Sequence, residues 1–180
     1  MTSILIPIAD GSEEIEAVTL INVLRRAGFS VTSAGVSSLE ISGARKIGLV
    51  ADKLLADCRK DSFDGIFLPG GMPGATNLAA SNLLITLLRN QAQAGKFYGA
   101  ICASPAIVLA AHGLLEGKKA TAYPSFESKL PDSSLASQKV VVDGNCITAQ
   151  SPGSAQEFAL KIIAEMASMA KADEIRRDLC

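Results

Sequence analysis

The sequence predicts a three-layer α/β sandwich, in which helices cover both faces of a mostly parallel sheet. Short apolar runs alternate with longer amphipathic segments along the chain, as they do in βαβ units. The clearest strand candidates are the apolar runs at 3–9, 64–68 and 97–101. Hydrophobic residues make up 48% of the 180 residues and charged residues 19%, which is enough apolar material for a folded core. We therefore expect a single domain over residues 1–180.

Composition excludes several classes of partner. The net charge is −1, there is no basic block and no Trp, so nucleic acid and anionic membrane surfaces are not expected partners. No apolar run is long enough to span a bilayer. The four cysteines are scattered without a C-x-x-C spacing and no signal-like stretch opens the chain, which predicts a reducing, cytoplasmic location. One His and four scattered Cys predict no metal site.

Helix and turn signals order the remaining elements. Asp10 and Glu13 fit a helix-start capping pattern, and the helix they introduce ends at Gly28. Ser151 as cap and Pro152 at the first helical position open the last helix. The other predicted elements are a strand at 29–36, short strands and turns at 37–52, a helix at about 75–94 that breaks near Ser81, a strand at 119–123, a short helix or turn at 125–130, and a hairpin of 140–142 with 146–149 around Asp143-Gly144-Asn145.

Cys102 lies where the strand at 97–101 becomes a helix introduced by Pro105. Such a strand–turn–helix elbow raises one side chain above the C-terminal edge of the sheet, usually on a strained backbone. Free N–H groups and the helix dipole at this point favour the thiolate, which predicts a lowered pKa for the Cys102 thiol. The alternative is a structural cysteine in the core, since free Cys is among the most buried residues. The elbow context favours the reactive interpretation.

Glu16 is the carboxylate most informative about this site. It heads a helical stripe whose other members, Leu20, Val23 and Ala27, are apolar. A Glu on an inward stripe is expected to be partly buried, which raises its pKa and lets it share a proton with Cys102. The alternative is a solvated Glu near a helix start.

Pro69-Gly70-Gly71 follows a predicted strand, and its glycines allow the backbone to approach a ligand closely. We predict that the N–H groups of Gly71 and Ala103 form an oxyanion hole, the alternative being a plain turn. His112 lies ten residues after Cys102 on the same helix, over ~10 Å away, so we reject it as the base of an ordinary cysteine protease.

Four motifs in chain order carry a resemblance to a known family: GSEEIE at 11–16, LPGG at 68–71, AICASP at 100–105 and SPG at 151–153. With these motifs the chain resembles the ThiJ/PfpI superfamily, and most closely its DJ-one branch, named for a parkinsonism-associated protein. The resemblance covers essentially the whole chain. It implies a flavodoxin-like fold, a homodimer, and a reactive Cys102 paired with a protonated Glu16.

The resemblance also implies two kinds of function. Family members are credited with cofactor-free glyoxalase III activity, which converts methylglyoxal or glyoxal to hydroxy acids, and with deglycation of early protein and nucleotide adducts. Others are described as oxidative-stress sensors or redox-regulated chaperones whose cysteine becomes a sulfinate. The first is our leading hypothesis and the second its alternative. A peptidase is disfavoured, because Ala103 stands where the protease-like branch carries a His.

Two positions depart from the family pattern. Tyr123 stands where several members have a His facing the cysteine, and Gln150 stands where some have an Arg. A phenol can hydrogen-bond a substrate oxygen but is a poor base at neutral pH, so Tyr123 is a candidate substrate-binding residue together with Gly70, Gly71 and Ala103. Arg45 and the Arg25-Arg26 pair match dimer-region positions of the family.

Overall fold

The computed structural model describes residues 1–179, and its centre is one seven-stranded sheet with helices on both faces. The strands are β1 Ser3–Ile8, β2 Ser30–Gly35, β3 Glu40–Ser42, β4 Gly48–Val50, β5 Lys53–Leu54, β6 Gly65–Leu68, β7 Phe97–Ile101, β8 Val140–Asp143 and β9 Cys146–Ala149. The α-helices are α1 Glu14–Arg26, α2 Gly74–Ala79, α3 Asn82–Gln93, α4 Ala155–Met166 and α5 Met169–Asp178. Within residues 1–179, no helix combines the length and the apolar character needed to cross a lipid bilayer.

The main sheet has the strand order β5-β2-β1-β6-β7-β9-β8. Every neighbouring pair in it is parallel except β8 with β9, which form the antiparallel hairpin that the Asp-Gly-Asn turn predicts. The short pair β3–β4 is antiparallel and separate from the main sheet. From β1 the chain passes first to β2 on one side and later to β6 on the other. The carboxyl ends of β1 and β6, and of β7 beside β6, therefore form the edge at which such sheets bind ligands.

Alternate side chains of the central strands pack into two separate hydrophobic cores, one on each face of the sheet. Ile4 and Ile6 of β1 pack with α1, α4 and α5 on one face of the sheet. Leu5, between them, packs with α2, α3 and the helix that follows Cys102 on the other face. This alternation is the period of two that a strand imposes on its side chains. The predicted three-layer sandwich is therefore confirmed.

The break in the second helical region is also confirmed. α2 ends at Ala79 and α3 begins at Asn82. The Ser81 hydroxyl between them caps α3 by accepting the N–H of Leu84 at 3.3 Å.

The predicted helix caps at Asp10 and Ser151 are wrong. Asp10 does not cap α1: its Oδ1 accepts the N–H of Ser42 at 2.8 Å, so the side chain holds the β3 end instead. The residue that precedes α1 is Glu13, and its side chain makes no capping bond. Ser151 makes no capping bond either, because a 3₁₀ turn at Pro152–Ser154 comes before α4. Cys180, which the sequence leaves without a role, lies outside the described residues.

Segment 119–123, predicted as a strand, is irregular. Its N–H groups bond to other partners than a strand ladder: that of Thr121 donates to Thr148 Oγ1 at 3.0 Å, and that of Tyr123 donates to the Cys102 carbonyl at 2.8 Å. A side-chain oxygen and the carbonyl of a turn thus replace the regular acceptors of a neighbouring strand. The segment still passes directly beside the elbow.

Candidate functional site

Three loops meet at the carboxyl ends of β1, β6 and β7. The N–H of Glu13, at the start of α1, donates to the Gly70 carbonyl at 3.0 Å. Inside α1, Glu16 Oε2 accepts the N–H of Gly70 at 2.7 Å. From the elbow, the Ser104 hydroxyl donates to the Pro69 carbonyl at 2.6 Å. The convergence of loops expected from the parallel sheet is therefore present.

Cys102 is held in a strained conformation at the end of β7. Its φ is +65°, in the left-handed region that non-glycine residues seldom adopt. Its N–H donates to the Ala149 carbonyl at 3.0 Å, so both backbone groups of the residue are bonded. A π-helix at Pro105–Leu109 and a 3₁₀ turn at Ala110–His112 follow, where the sequence predicts a regular helix. The predicted strained elbow is therefore present, and the Cys102 residue is 9% exposed.

Glu16 is fully buried, as its place on the apolar stripe predicts. Its Oε2 is bonded to Gly70, but within residues 1–179 no nitrogen or oxygen atom donates to its Oε1. The carboxyl and the Cys102 thiol lie close enough for each to shift the pKa of the other. The alternative of a solvated Glu16 is therefore wrong.

Burial makes it costly for both members of the Cys102–Glu16 pair to be charged at once. It raises the pKa of Glu16 to about 7, against the hydrogen bonds from Gly70 and Cys102 that lower it. Burial and the Glu16 carboxylate together raise the pKa of the Cys102 thiol to about 12. The predicted lowering of that thiol pKa is wrong in its net direction, because the elbow N–H groups do not outweigh burial and the nearby charge. Between these two values the pair holds one proton.

Two backbone N–H groups interact with the sulfur itself. Those of Gly71 and Ala103 both lower the pKa of the Cys102 thiol, which means that they stabilise the thiolate form. Gly70 and Gly71 are the residues that make this approach possible. A Cβ at Gly70 would lie 2.7 Å from Cys102 Cβ, and Gly71 has a φ of +86°. The glycines are therefore required by the geometry of the site.

The remaining sequence candidates differ in their placement. Tyr123 is 42% exposed, and its backbone is bonded to the Cys102 carbonyl, so its phenol is available to solvent beside the elbow. The Gln150 side chain makes a structural hydrogen bond, in which its Nε2 donates to the Ala136 carbonyl at 3.2 Å. His112 bonds through Nε2 to the Ala79 carbonyl at 3.1 Å, an entirely structural contact.

Sequence reasoning missed the contributions of Glu13 and Ser104. Both fasten the Pro69–Gly71 loop, Glu13 through its backbone N–H and Ser104 through its hydroxyl. A backbone donor has no sequence signature. Ser104 lies inside the elbow motif and is completely buried, and a small polar residue within an apolar run is the only signal that points to it.

Comparison with known proteins places this site in a family. A sequence profile of the DJ-1/PfpI family matches residues 2–165. Protein DJ-1 homolog B of Arabidopsis thaliana is 55% identical over 161 residues, which is 89% of this chain but 37% of that protein's length. Protein dj-1beta of Drosophila melanogaster is 42% identical and is covered over 96% of its length by 98% of this chain. A Caenorhabditis elegans relative called glutathione-independent glyoxalase DJR-1.2 is 35% identical, with 98% of this chain and 94% of that protein covered.

Solved structures share the whole fold. The structure of oxidized Toxoplasma gondii DJ-1 superposes with a TM-score of 0.97 at 41% identity, covering 99% of this chain and 98% of that one. Drosophila melanogaster DJ-1beta superposes with a TM-score of 0.95 at 41% identity, covering 99% and 97%. These matches confirm the flavodoxin-like fold that the sequence motifs imply. The chain spans about two fifths of the two plant relatives and almost all of the fly protein.

Proposed function

Because this chain belongs to the DJ-1/PfpI family, we propose that it converts small α-oxoaldehydes such as methylglyoxal to hydroxy acids, with Cys102 as nucleophile and Glu16 as proton carrier. The observation that carries the proposal is the buried Cys102–Glu16 pair, which holds one proton beside two N–H donors. The glyoxalase name of the nematode relative supports it. Deglycation of early adducts would use the same attack on a carbonyl-derived carbon.

With a pKa of about 7 for Glu16 and about 12 for the thiol, the single proton of the pair is on sulfur, and the first step begins when it passes to Glu16. The Cys102 thiolate attacks the aldehyde carbon, and the carbonyl π electrons move to oxygen. The N–H groups of Gly71 and Ala103 stabilise the resulting oxyanion. Transfer of the Glu16 proton to that oxygen completes a hemithioacetal and leaves Glu16 as a carboxylate.

The second step makes the Glu16 carboxylate a base. It removes the hydrogen from the former aldehyde carbon as a proton, and the electron pair forms a carbon–carbon double bond to the neighbouring carbonyl carbon, whose oxygen becomes the anion of an enediolate. Glu16 then returns the proton to that neighbouring carbon, while the hydroxyl proton of the hemithioacetal passes to the enediolate oxygen, which gives a thioester of the hydroxy acid. Water hydrolyses the thioester, restores the thiol and releases lactate. One carbon is oxidised and its neighbour reduced, so methylglyoxal and water account for every atom and electron.

The substrate-binding residues follow from the same geometry. Gly70 and Gly71 let their loop pack directly against the elbow and against the turn before α1, and Ala103 contributes its N–H. Tyr123 is exposed and its N–H bonds to the Cys102 carbonyl, and we assign to its phenol a hydrogen bond to the second substrate oxygen. Glu16, fully buried, takes the proton-transfer role that a phenol cannot fill at neutral pH.

The proposed function is tested by lactate formation from methylglyoxal. We expect Cys102→Ala to lose lactate formation completely, because no other described cysteine lies beside a carboxyl group of raised pKa. Cys146→Ala is the matched control. Cys146 is buried at the amino end of β9, whereas Cys102 follows the carboxyl end of the neighbouring strand β7, so its replacement should not affect turnover. Equal lactate from wild type and Cys102→Ala would reject the proposal.

A second candidate function is an oxidative-stress sensor or redox-regulated chaperone that uses the same sulfur. It is favoured by the buried Glu16 carboxyl close to Cys102, whose Oε1 has no nitrogen or oxygen donor within residues 1–179. A protonated Glu16 could donate a hydrogen bond from this oxygen to a sulfinate oxygen.

Peroxide titration distinguishes the second candidate. We expect intact mass and peptide mapping to show two oxygen atoms added to Cys102 before any other described cysteine reacts, because Cys58 and Cys146 are more deeply buried. Glu16→Leu should lose this selectivity and proceed further to the sulfonate. Oxidation elsewhere with Cys102 unchanged would contradict the sensor function.

A further inference from the structure

Ser104 connects two parts of the site that are far apart in the chain. It follows Ala103 in the elbow, is completely buried, and donates its hydroxyl to the Pro69 carbonyl at 2.6 Å. Pro69 is the residue immediately before Gly70 and Gly71. The short distance indicates a well-formed hydrogen bond between a side chain of the elbow and the loop that supplies one of the two N–H donors to the sulfur.

Two bonds to Gly70 come from a different direction, and the Gly71 carbonyl accepts the N–H of Ala75 in α2 at 2.8 Å. Gly70 donates to Glu16 Oε2 at 2.7 Å and accepts from the Glu13 N–H at 3.0 Å. Both fasten the loop to the start of α1. The Ser104 bond fastens it instead to the elbow, which moves together with Cys102 and Ala103.

We propose that Ser104 is a positioning residue: its hydroxyl holds Pro69 so that the Gly71 N–H stays directed at the Cys102 sulfur. Ala103 already has a fixed relation to the sulfur, because it is the next residue in the chain. Gly71 is 31 positions away in sequence and has no such covalent restraint. The Ser104 bond fixes the Gly71 N–H, like that of Ala103, relative to the elbow that carries the sulfur. Removing the Ser104 hydroxyl leaves the buried Pro69 carbonyl without its donor. The inference rests on the proposed use of Cys102 as a thiolate.

The test measures the reactivity of the sulfur and not the overall reaction. The rate of alkylation of Cys102 by iodoacetamide is followed from about pH 5 to pH 9, with peptide mass mapping to assign the modified residue. In Ser104→Ala we expect the thiolate fraction near neutral pH, and with it the rate, to fall ~3- to 10-fold, since one donor to the sulfur is weakened. Ser33→Ala is the matched control. It also removes a buried hydroxyl, one that donates to Asp52 Oδ2 at 2.8 Å away from the site, and should keep the wild-type profile.

Ser104→Thr separates the hydrogen bond from simple packing. It keeps the hydroxyl, so we expect a profile close to wild type, with the folded state of every variant checked by circular dichroism. A wild-type profile in folded Ser104→Ala, or a rate in Ser104→Thr as low as in Ser104→Ala, would overturn the inference.

Failure of this inference is distinguishable from failure of the proposed function. Lactate formation that survives in Cys102→Ala rejects the enzyme function, whatever the alkylation profiles show. An unchanged alkylation profile in Ser104→Ala rejects only the positioning role, while the lactate test keeps its own outcome.

Discussion

Replacing Glu16 with Gln should remove a stability loss of about 3 kcal/mol that the wild-type protein suffers between mildly acidic and mildly basic pH. The pKa of Glu16 is raised by burial from 4.5 to about 7, so the folded state holds a proton that the unfolded state has released. The stabilisation is fully present below about pH 4.5 and is lost as the pH rises through about 7. Gln keeps the shape and cannot titrate.

Urea unfolding at about pH 5 and pH 8 measures this effect. The free energy of unfolding of Glu16→Gln minus that of wild type should increase by most of the ~3 kcal/mol between the two conditions. Glu40→Gln removes an exposed carboxylate of β3 and serves as the control, for which the difference should stay near zero. Parallel pH dependences for wild type and Glu16→Gln would mean that the pKa of Glu16 is the same in the folded and the unfolded protein, and would contradict the prediction.

The same variant should also lose most of its turnover. A Gln side chain can accept the Gly70 N–H, but it cannot carry a proton between two carbons. We expect lactate formation to fall ~10²- to 10⁴-fold, the usual contribution of a general acid–base group. Turnover that stays within a few-fold of wild type would assign the proton transfer to another group.

Gly70→Ala is the second change with a large expected effect. A Cβ at this position would lie 2.8 Å from the Ile101 carbonyl oxygen and 2.9 Å from the Ala103 nitrogen. Both are backbone atoms of the elbow, so the loop and the elbow must separate. We expect a loss of ~1–3 kcal/mol in stability, together with loss of lactate formation as the N–H donors leave the sulfur.

Gly48→Ala is the matched control for this substitution. No heavy atom lies within 4 Å of the place where its Cβ would stand, and it belongs to the exposed strand β4. Thermal unfolding and lactate assays on both variants should therefore show a large effect at Gly70 and almost none at Gly48. A Gly70→Ala protein with wild-type stability would show that this contact relaxes at low cost.

The elements that the sequence predicted correctly are those with a strong local pattern. The apolar runs of β1, β6 and β7 are buried on both faces of the sheet, and such runs are readable without knowledge of the fold. Glu16 heads an apolar stripe, which predicts partial burial, and the structure buries it fully. Cys102 was identified from the change from strand to helix, and its φ of +65° agrees with that elbow.

The errors occur where tertiary contacts decide. Asp is a favourable capping residue, but Asp10 Oδ1 accepts a hydrogen bond from the N–H of Ser42, 32 positions later in the chain, and does not cap α1. The net direction of the Cys102 thiol pKa depends on how deeply the sulfur lies and on a charge from α1, neither of which the elbow motif contains. The homodimer that the family resemblance implies stays a prediction.

Segment 119–123 combines an exposed side chain, that of Tyr123, with a backbone that is fixed beside the elbow. It is fastened by the Thr148 hydroxyl and the Cys102 carbonyl, and it shares no strand register with the sheet. A library of substitutions at Tyr123 would therefore explore new substrate preferences while the nucleophile and its acid remain in place. The protein can therefore accept different side chains at this one exposed position, while Ala120, Thr121 and Ala122 beside it stay buried.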